Sequence, residues 1–284
     1  MTIVLIADGA PEDGLGHLAR CSAIGVALRI RGLAVAAFAY GATAPRVVDG
    51  IAWEPYGGFS EARAILLDTY TMPPPEQAAL AARAPLAVVH DIGDVPPGAA
   101  LVLASGDLRH APLRAPFWGL PERRPSRRVE RVLVTTGGGS LAPAAAGLAT
   151  AVKARLPEAD VALVRGPYTR LEPPPGITLI DAPPSLLDAL LAADLVVSAA
   201  GQTALEAVAT GAPTIALPLV DNQRRNADAL AAAGAAVIAE PEAVPALAAE
   251  LAADHDRRLA LARAGQAAVD GYGALRIAFR IATL

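Results

Sequence analysis

Short aliphatic runs alternate along the chain with longer stretches whose apolar positions recur at helical spacing, the pattern of parallel sheets joined by crossover helices. In the first half the runs at 3–6, 34–39, 64–67, 86–90 and 101–104 are expected to be strands. Between the first two, Leu18, Cys21, Ile24, Gly25 and Leu28 mark one face of a helix over 17–31, and Gly32 is its stop. From 105 to 128 the pattern breaks. Pro112, Pro116, Pro121 and Pro125 occur there with Trp118 and a set of arginines, which suggests a solvated interdomain connection. Strands are expected again at 129–136, 161–164, 177–180, 195–197, 213–217 and 235–238, and one or two helices over 257–284.

This pattern predicts an α/β protein of two Rossmann-like domains, 1–125 and 126–284, facing a cleft, with a C-terminal helix closing the structure. The length of 284 residues suits two such domains. The hydrophobic fraction is 54% and the mean hydropathy +0.40, high enough to raise a membrane span. The excess is mostly alanine, and charges interrupt every long apolar stretch, so no insertion is expected. The first residues lack a basic flank before an apolar core, so they are expected to form a buried strand rather than a signal peptide. A net charge of −4 gives no support for a nucleic-acid partner, and Arg123, Arg124, Arg127, Arg128 and Arg131 are expected to be solvated. The single cysteine, Cys21, excludes an intramolecular disulfide and any multi-cysteine metal site; a buried thiol is expected. Together these features fit the cytoplasm.

Ligands of open α/β sheets bind beyond the carboxyl ends of the strands, so the loops there carry the candidate chemistry. The first loop runs from Asp8 through Gly14-Leu15-Gly16-His17 to Arg20. A histidine at a helix start suits a general base that activates a hydroxyl or a water. The second is Thr135-Thr136-Gly137-Gly138-Gly139-Ser140, where Gly138 and Gly139 suit a phosphate cradle without the ending of a P-loop. The third reads Ser198-Ala-Ala-Gly201-Gln202-Thr203-Ala-Leu-Glu206, then Gly211-Ala-Pro213. Ser198, Gly201, Gln202 and Thr203 suit a diphosphate at a helix start, and Glu206 suits the hydroxyls of a ribose. Asn222, Gln223 and Asn226 then offer amides for a sugar. Asp68-Thr69-Tyr70 and His90-Asp91-Ile-Gly-Asp94 also follow strands and are candidate substrate contacts. A divalent metal at the aspartates of the latter segment is allowed by its residue types, but nothing in the spacing requires one, and none is expected; no cofactor is expected either.

Taken together, residues 198–226 resemble the UDP-binding half of the GT-B glycosyltransferases related to family 28, which include the peptidoglycan N-acetylglucosaminyltransferase. The shared pattern is G-x-T-x-x-E, a following G-x-P and the Asn222-Gln223 pair. In the first half, Asp8, Gly14-Leu15-Gly16-His17, Arg20, Cys21 and Asp68-Thr-Tyr70 resemble the UDP-2,4-diacetamido-2,4,6-trideoxy-β-L-altropyranose hydrolases of pseudaminic acid biosynthesis and the related spore-coat polysaccharide proteins. The compact length is similar too. The chain departs from that pattern at Ile6, where the family has Arg, and at Ala10 and Pro11, where it favours Ser; these bear on the sugar more than on the reaction.

The resemblance implies a UDP-sugar substrate and metal-independent attack of water at the anomeric carbon, with His17 as base. It also implies that Asp8, Gly16, Arg20 and Tyr70 contact the sugar with Asn222, Gln223 and Asn226. The alternatives are an inverting glycosyltransferase using a UDP-sugar donor, in which His17 deprotonates an acceptor hydroxyl, and a non-enzymatic UDP-sugar-binding partner in a glycan assembly complex.

Overall fold

The computed structural model describes residues 2–10, 14–137, 142–166 and 172–284. The chain divides into two units, Met1–Trp118 with Gly271–Leu284, and Gly119–Asp270.

The first unit begins with β1 (Thr2–Asp8), α1 (Gly16–Ile30) and β2 (Ala34–Tyr40). It continues with β3 (Arg46–Val48), β4 (Ile51–Pro55), β5 (Ala64–Asp68), α2 (Pro74–Ala81), β6 (Leu86–His90) and β7 (Ala99–Ala104). The sheet order is β3-β4-β2-β1-β5-β6-β7, parallel except for the β3–β4 pair. β1 and β5 lie at its centre, covered on both faces, which is why both read as unbroken apolar runs. Successive β1 side chains serve opposite cores. Ile3, Leu5 and Ala7 pack with Leu18, Cys21, Ile24 and Leu28 of α1. Val4 and Ile6 pack with Ile65, Leu67, Met72 and Leu80.

The β3–β4 hairpin was not among the expected strands. Its turn is Asp49-Gly50, with φ of 48° and 76°, so two consecutive left-handed residues match the twist of the flanking strands. The hairpin delivers Trp53 to the core, where its indole N–H donates to Ser22 Oγ at 2.9 Å.

The second unit contains β8 (Arg131–Thr135), α3 (Ala142–Arg155), β9 (Asp160–Arg165), β10 (Thr178–Asp181), α4 (Leu187–Ala192) and β11 (Leu195–Ala199). α5 (Gln202–Ala209), β12 (Thr214–Leu217), α6 (Arg224–Ala232), β13 (Val237–Ile238), α7 (Val244–Ala253) and α8 (His255–Ala268) complete it. Its parallel sheet has the order β10-β9-β8-β11-β12-β13. A fully buried arginine, Arg258 of α8, ties the unit together. It donates to the carbonyls of Leu251, Ala252, Ser126 and Arg127 at 2.6–2.9 Å. Arg123, expected to be solvated, instead donates to the carbonyls of Leu190 and Ala193. Arg124, Arg127, Arg128 and Arg131 are exposed as expected.

The last helix, α9 (Gly273–Ala282), belongs to the first unit, not to the second as a boundary at 125/126 implies. Ala274, Ile277, Ala278 and Ile281 form its buried stripe and enter the core that holds α1. Gly273 permits this docking, since a Cβ there would lie 2.1 Å from the carbonyl oxygen of Ala111. No helix among the described residues is long and apolar enough to cross a membrane.

Candidate active site

In the first unit the strand order reverses beside β1. The chain proceeds to β2 and β4 on one side and to β5, β6 and β7 on the other. In open sheets of this kind ligands sit at the carboxyl ends of the strands beside such a reversal, which directs attention to the ends of β1 and β5. The parallel register puts Ala7 beside Asp68, so the His17 loop and Asp68 emerge together.

His17, in the first turn of α1, is 7% exposed, and its Nδ1 lies 2.7 Å from Asp68 Oδ1. Asp68, at the end of β5, is fully buried and accepts from Arg20 twice, Nε at 2.5 Å and Nη2 at 2.6 Å. Burial alone would raise its pKa, but Arg20 and His17 outweigh that and hold the carboxyl well below the usual carboxylate range. An ionised Asp68 only accepts hydrogen bonds, so the proton of the neutral imidazole sits on Nδ1. Arg20 Nη2, 3.2 Å from that nitrogen, then gains nothing from it and is held by the carboxylate instead. The tautomer leaves Nε2 with a lone pair, the arrangement of a histidine base oriented by a carboxylate. Tyr70 stands edge-on to the ring, with centroids 4.5 Å apart.

Arg20 also reaches Asp91, which follows β6, through Nη1 at 2.8 Å. Burial opposes the guanidinium charge, but Asp68 and Asp91 raise its pKa well above the ordinary value. The Tyr70 hydroxyl donates to the same oxygen of Asp91. Burial pushes that phenol up, Arg20 pulls it down, and Asp91 adds to the rise, so Tyr70 remains a donor. Cys21 donates its thiol to Asp68 Oδ2 at 3.5 Å. Burial first and Asp68 second raise its pKa well above normal, which leaves the expected buried, unreactive thiol.

Asp8, a candidate sugar contact, is fully buried, and both its oxygens are engaged. Oδ1 accepts from the hydroxyls of Thr69 and Thr71, and Oδ2 from the backbone N–H groups of Tyr70 and Thr71. It fixes the loop that presents Tyr70, which is 38% exposed. Gly16 opens α1 in open space. The role of Asp68 as the partner of His17 was not legible in the sequence. The signal available was its place at the end of a strand expected to lie beside the first.

The second unit reverses its order beside β8, between β9 and β11. Thr135 and Ser198 are register partners, so the chain leaves β8 through Thr136 and Gly137 beside the start of the loop into α5. Gly137 has φ of 90°, which a side chain would strain. Gly138 and Gly139 lie outside the described residues. Gly201 caps α5, and Gln202 and Thr203 form its first turn, the end of a helix that suits an anion. Ser198 is buried, its hydroxyl donating to the Ala199 carbonyl. Gln223 accepts the Leu219 N–H at 3.0 Å, and its Nε2 is the nearest atom to the space a Cβ on Gly201 would occupy, at 3.7 Å. Gln223 thus lies over the start of α5. Asn222 shares the short turn Asp221–Gln223, and Asn226 is buried on α6. Glu206 is buried on α5, at 3% exposure.

Residues 133–270 match the model of the glycosyltransferase family 28 C-terminal domain, a range that runs from within β8 through α8 and includes the candidate residues of the second unit. The two Rossmann-like units match the structures of GT-B glycosyltransferases. The glycosyltransferase SsfS6 of Streptomyces sp. SF2575, solved with thymidine diphosphate, matches with a TM-score of 0.66 at 16% identity over 100% of both chains. The glycotransferase of kitacinnamycin matches at 0.62 and 16%, over 99% of this chain and 98% of that one. SnogD from Streptomyces nogalater matches at 0.58 and 18%, over 100% and 99%. At these identities the likeness is one of fold. No curated protein matches the chain.

Proposed function

We propose that this protein transfers a glycosyl group from a nucleoside diphosphate sugar to a hydroxyl acceptor, with His17 as general base. The observation that carries the proposal is the Asp68–His17 pair, which leaves Nε2 as the acceptor for a proton. The match of 133–270 to a glycosyltransferase domain supports a nucleotide-sugar donor, and it favours transfer over the hydrolysis expected from the first-half motifs. In this reading the acceptor hydroxyl gives its proton to Nε2 as its oxygen attacks the anomeric carbon. The nucleoside diphosphate leaves from the opposite face, inverting the centre. The imidazolium that forms is stabilised by Asp68. The amides at the start of α5, with the glycine loop after β8, bind the leaving diphosphate and stabilise its growing charge. Uridine is the expected nucleoside, on the resemblance of 198–226 to UDP-binding domains. Tyr70, Asn222, Gln223 and Asn226 remain the proposed sugar contacts.

Hydrolysis is the second reading. It is favoured by the burial of His17, which admits a water more readily than a bulky acceptor, and by the resemblance of Gly14–Cys21 to the pseudaminic-type hydrolases. The experiment incubates the protein with a panel of UDP- and TDP-linked sugars, with and without hydroxyl acceptors, and measures nucleoside diphosphate release. Release that depends on acceptor is expected; equally fast release without one assigns hydrolysis. A His17→Ala protein should bind UDP but lose roughly 100- to 10,000-fold in rate. Full turnover in that variant would sink the assignment of the base.

A further inference from the structure

The buried cluster behind His17 contains more negative charge than the dyad needs. Asp68 and Asp91 both contact Arg20, so two carboxylates share one guanidinium. Arg20 is strongly committed to Asp68, through Nε and Nη2, and gives Asp91 only Nη1. The other bond to Asp91 comes from the neutral phenol of Tyr70 and goes to the same oxygen. Its second oxygen, Oδ1, is buried and accepts no hydrogen bond from the described residues. A buried carboxylate with an idle oxygen is costly to maintain, and a hydrophobic or amide side chain would avoid the cost. Among the described residues, the titratable and charged groups around the imidazole are Arg20 and Cys21 on α1, Asp68 at the end of β5, Tyr70 after it, Asp91 after β6, and Asp8 of β1 behind the Tyr70 loop. Arg20 is the cation that faces the carboxylates Asp68 and Asp91.

We infer that Asp91 is a positioning residue that sets the proton affinity of His17 by drawing on Arg20. With a neutral imidazole, Asp68, Asp91 and Arg20 together carry one net negative charge. When Nε2 receives the proton of the attacking hydroxyl, and Nδ1–H stays in place, the cluster becomes neutral. Without the Asp91 charge the same step would leave a buried net positive charge, because Arg20 alone already balances Asp68. Asp91 therefore makes the imidazolium the electrically balanced state and His17 a stronger base, without touching the reacting atoms. The inference rests on His17 being the base of the proposed reaction, but its test does not require turnover.

The test follows the His17 imidazole by NMR across pH in the full chain, with His17→Ala used to assign its signal among the four histidines. Asp91→Asn should lower the titration midpoint by about one unit, a roughly tenfold loss of proton affinity. Asp91→Glu, which keeps the charge, should restore it, an outcome a purely structural role would not produce. An unchanged or raised midpoint in folded Asp91→Asn overturns the inference. Should that variant not fold, Arg20→Gln gives a test of opposite sign. Loss of the Arg20 charge must raise the midpoint, and a midpoint that stays or falls refutes the charge argument. A wild-type chain that releases no nucleotide from any donor would instead defeat the glycosyl-transfer reading and leave the titration result standing.

Discussion

Replacing Asp68 by Asn keeps the shape of the side chain and removes its charge, so it isolates what the carboxylate does. Asp68 accepts from His17 at 2.7 Å and from Arg20 at 2.5 and 2.6 Å, one Arg20 bond on each oxygen. An amide placed either way points its NH2 at a guanidinium N–H, so one of those bonds becomes a meeting of two donors. Removing one partner of a buried ion pair costs about 3–5 kcal/mol. Both tryptophans, Trp53 and Trp118, lie in the first unit, so their fluorescence in urea reports the unfolding of this unit and not of the other.

The Asp68 pKa is depressed in the folded protein. Its contribution is therefore fully present above the unfolded value, about 3.9, and is lost as pH falls through the lower folded value. The stability gap between wild type and Asp68→Asn should stay constant from pH 7 to about 5 and narrow below about pH 4. A gap under about 1 kcal/mol at pH 7, the worth of a single neutral hydrogen bond, would refute the reasoning. So would a gap that is unchanged at acid pH.

Arg258→Met should destabilise the second unit by about 3 kcal/mol, because four carbonyls lose their donor; far-UV circular dichroism with no matching tryptophan transition would register it. Gly273→Ala places a methyl 2.1 Å from a backbone oxygen, so the tryptophan-monitored midpoint should fall by the equivalent of about 1–3 kcal/mol; a neutral outcome would contradict the close approach. Cys21 should resist thiol reagents in the native protein and react fully in urea, since it is buried and its pKa is raised; rapid native labelling would contradict both.

The strands that carry the sites were legible because central parallel strands are apolar on both faces: the run at 86–90 matches β6, and the runs at 3–6 and 64–67 fall within β1 and β5. The β3–β4 hairpin escaped because its strands are short and half-exposed, although Asp49-Gly50 between alternating residues is a turn signal. His17 was singled out in the sequence by its place at a helix start. Its partner was not, since the pairing joins residues 51 positions apart and depends on β5 lying beside β1. Arg20 was expected on a sugar because the family resemblance implied it, whereas the two carboxylates that occupy it arrive from different strands, which no local pattern shows. The last helix was read into the second domain for a related reason: the stripe of α9 is a good amphipathic pattern, and no pattern names the core that receives it.

The docking of α9 gives synthesis on the ribosome an order. Residues 119–270 emerge as one uninterrupted block and contain every partner their sheet needs. The unit that begins first ends last, because the face of α1 carrying Ile24 and Leu28 shares its core with Ile277 and Ile281. That apolar surface must wait, partly uncovered, while about 240 intervening residues are translated, a delay of roughly 10–50 s at bacterial to eukaryotic elongation rates. The nascent chain is thus most exposed to aggregation and to chaperone capture in its earliest-made part.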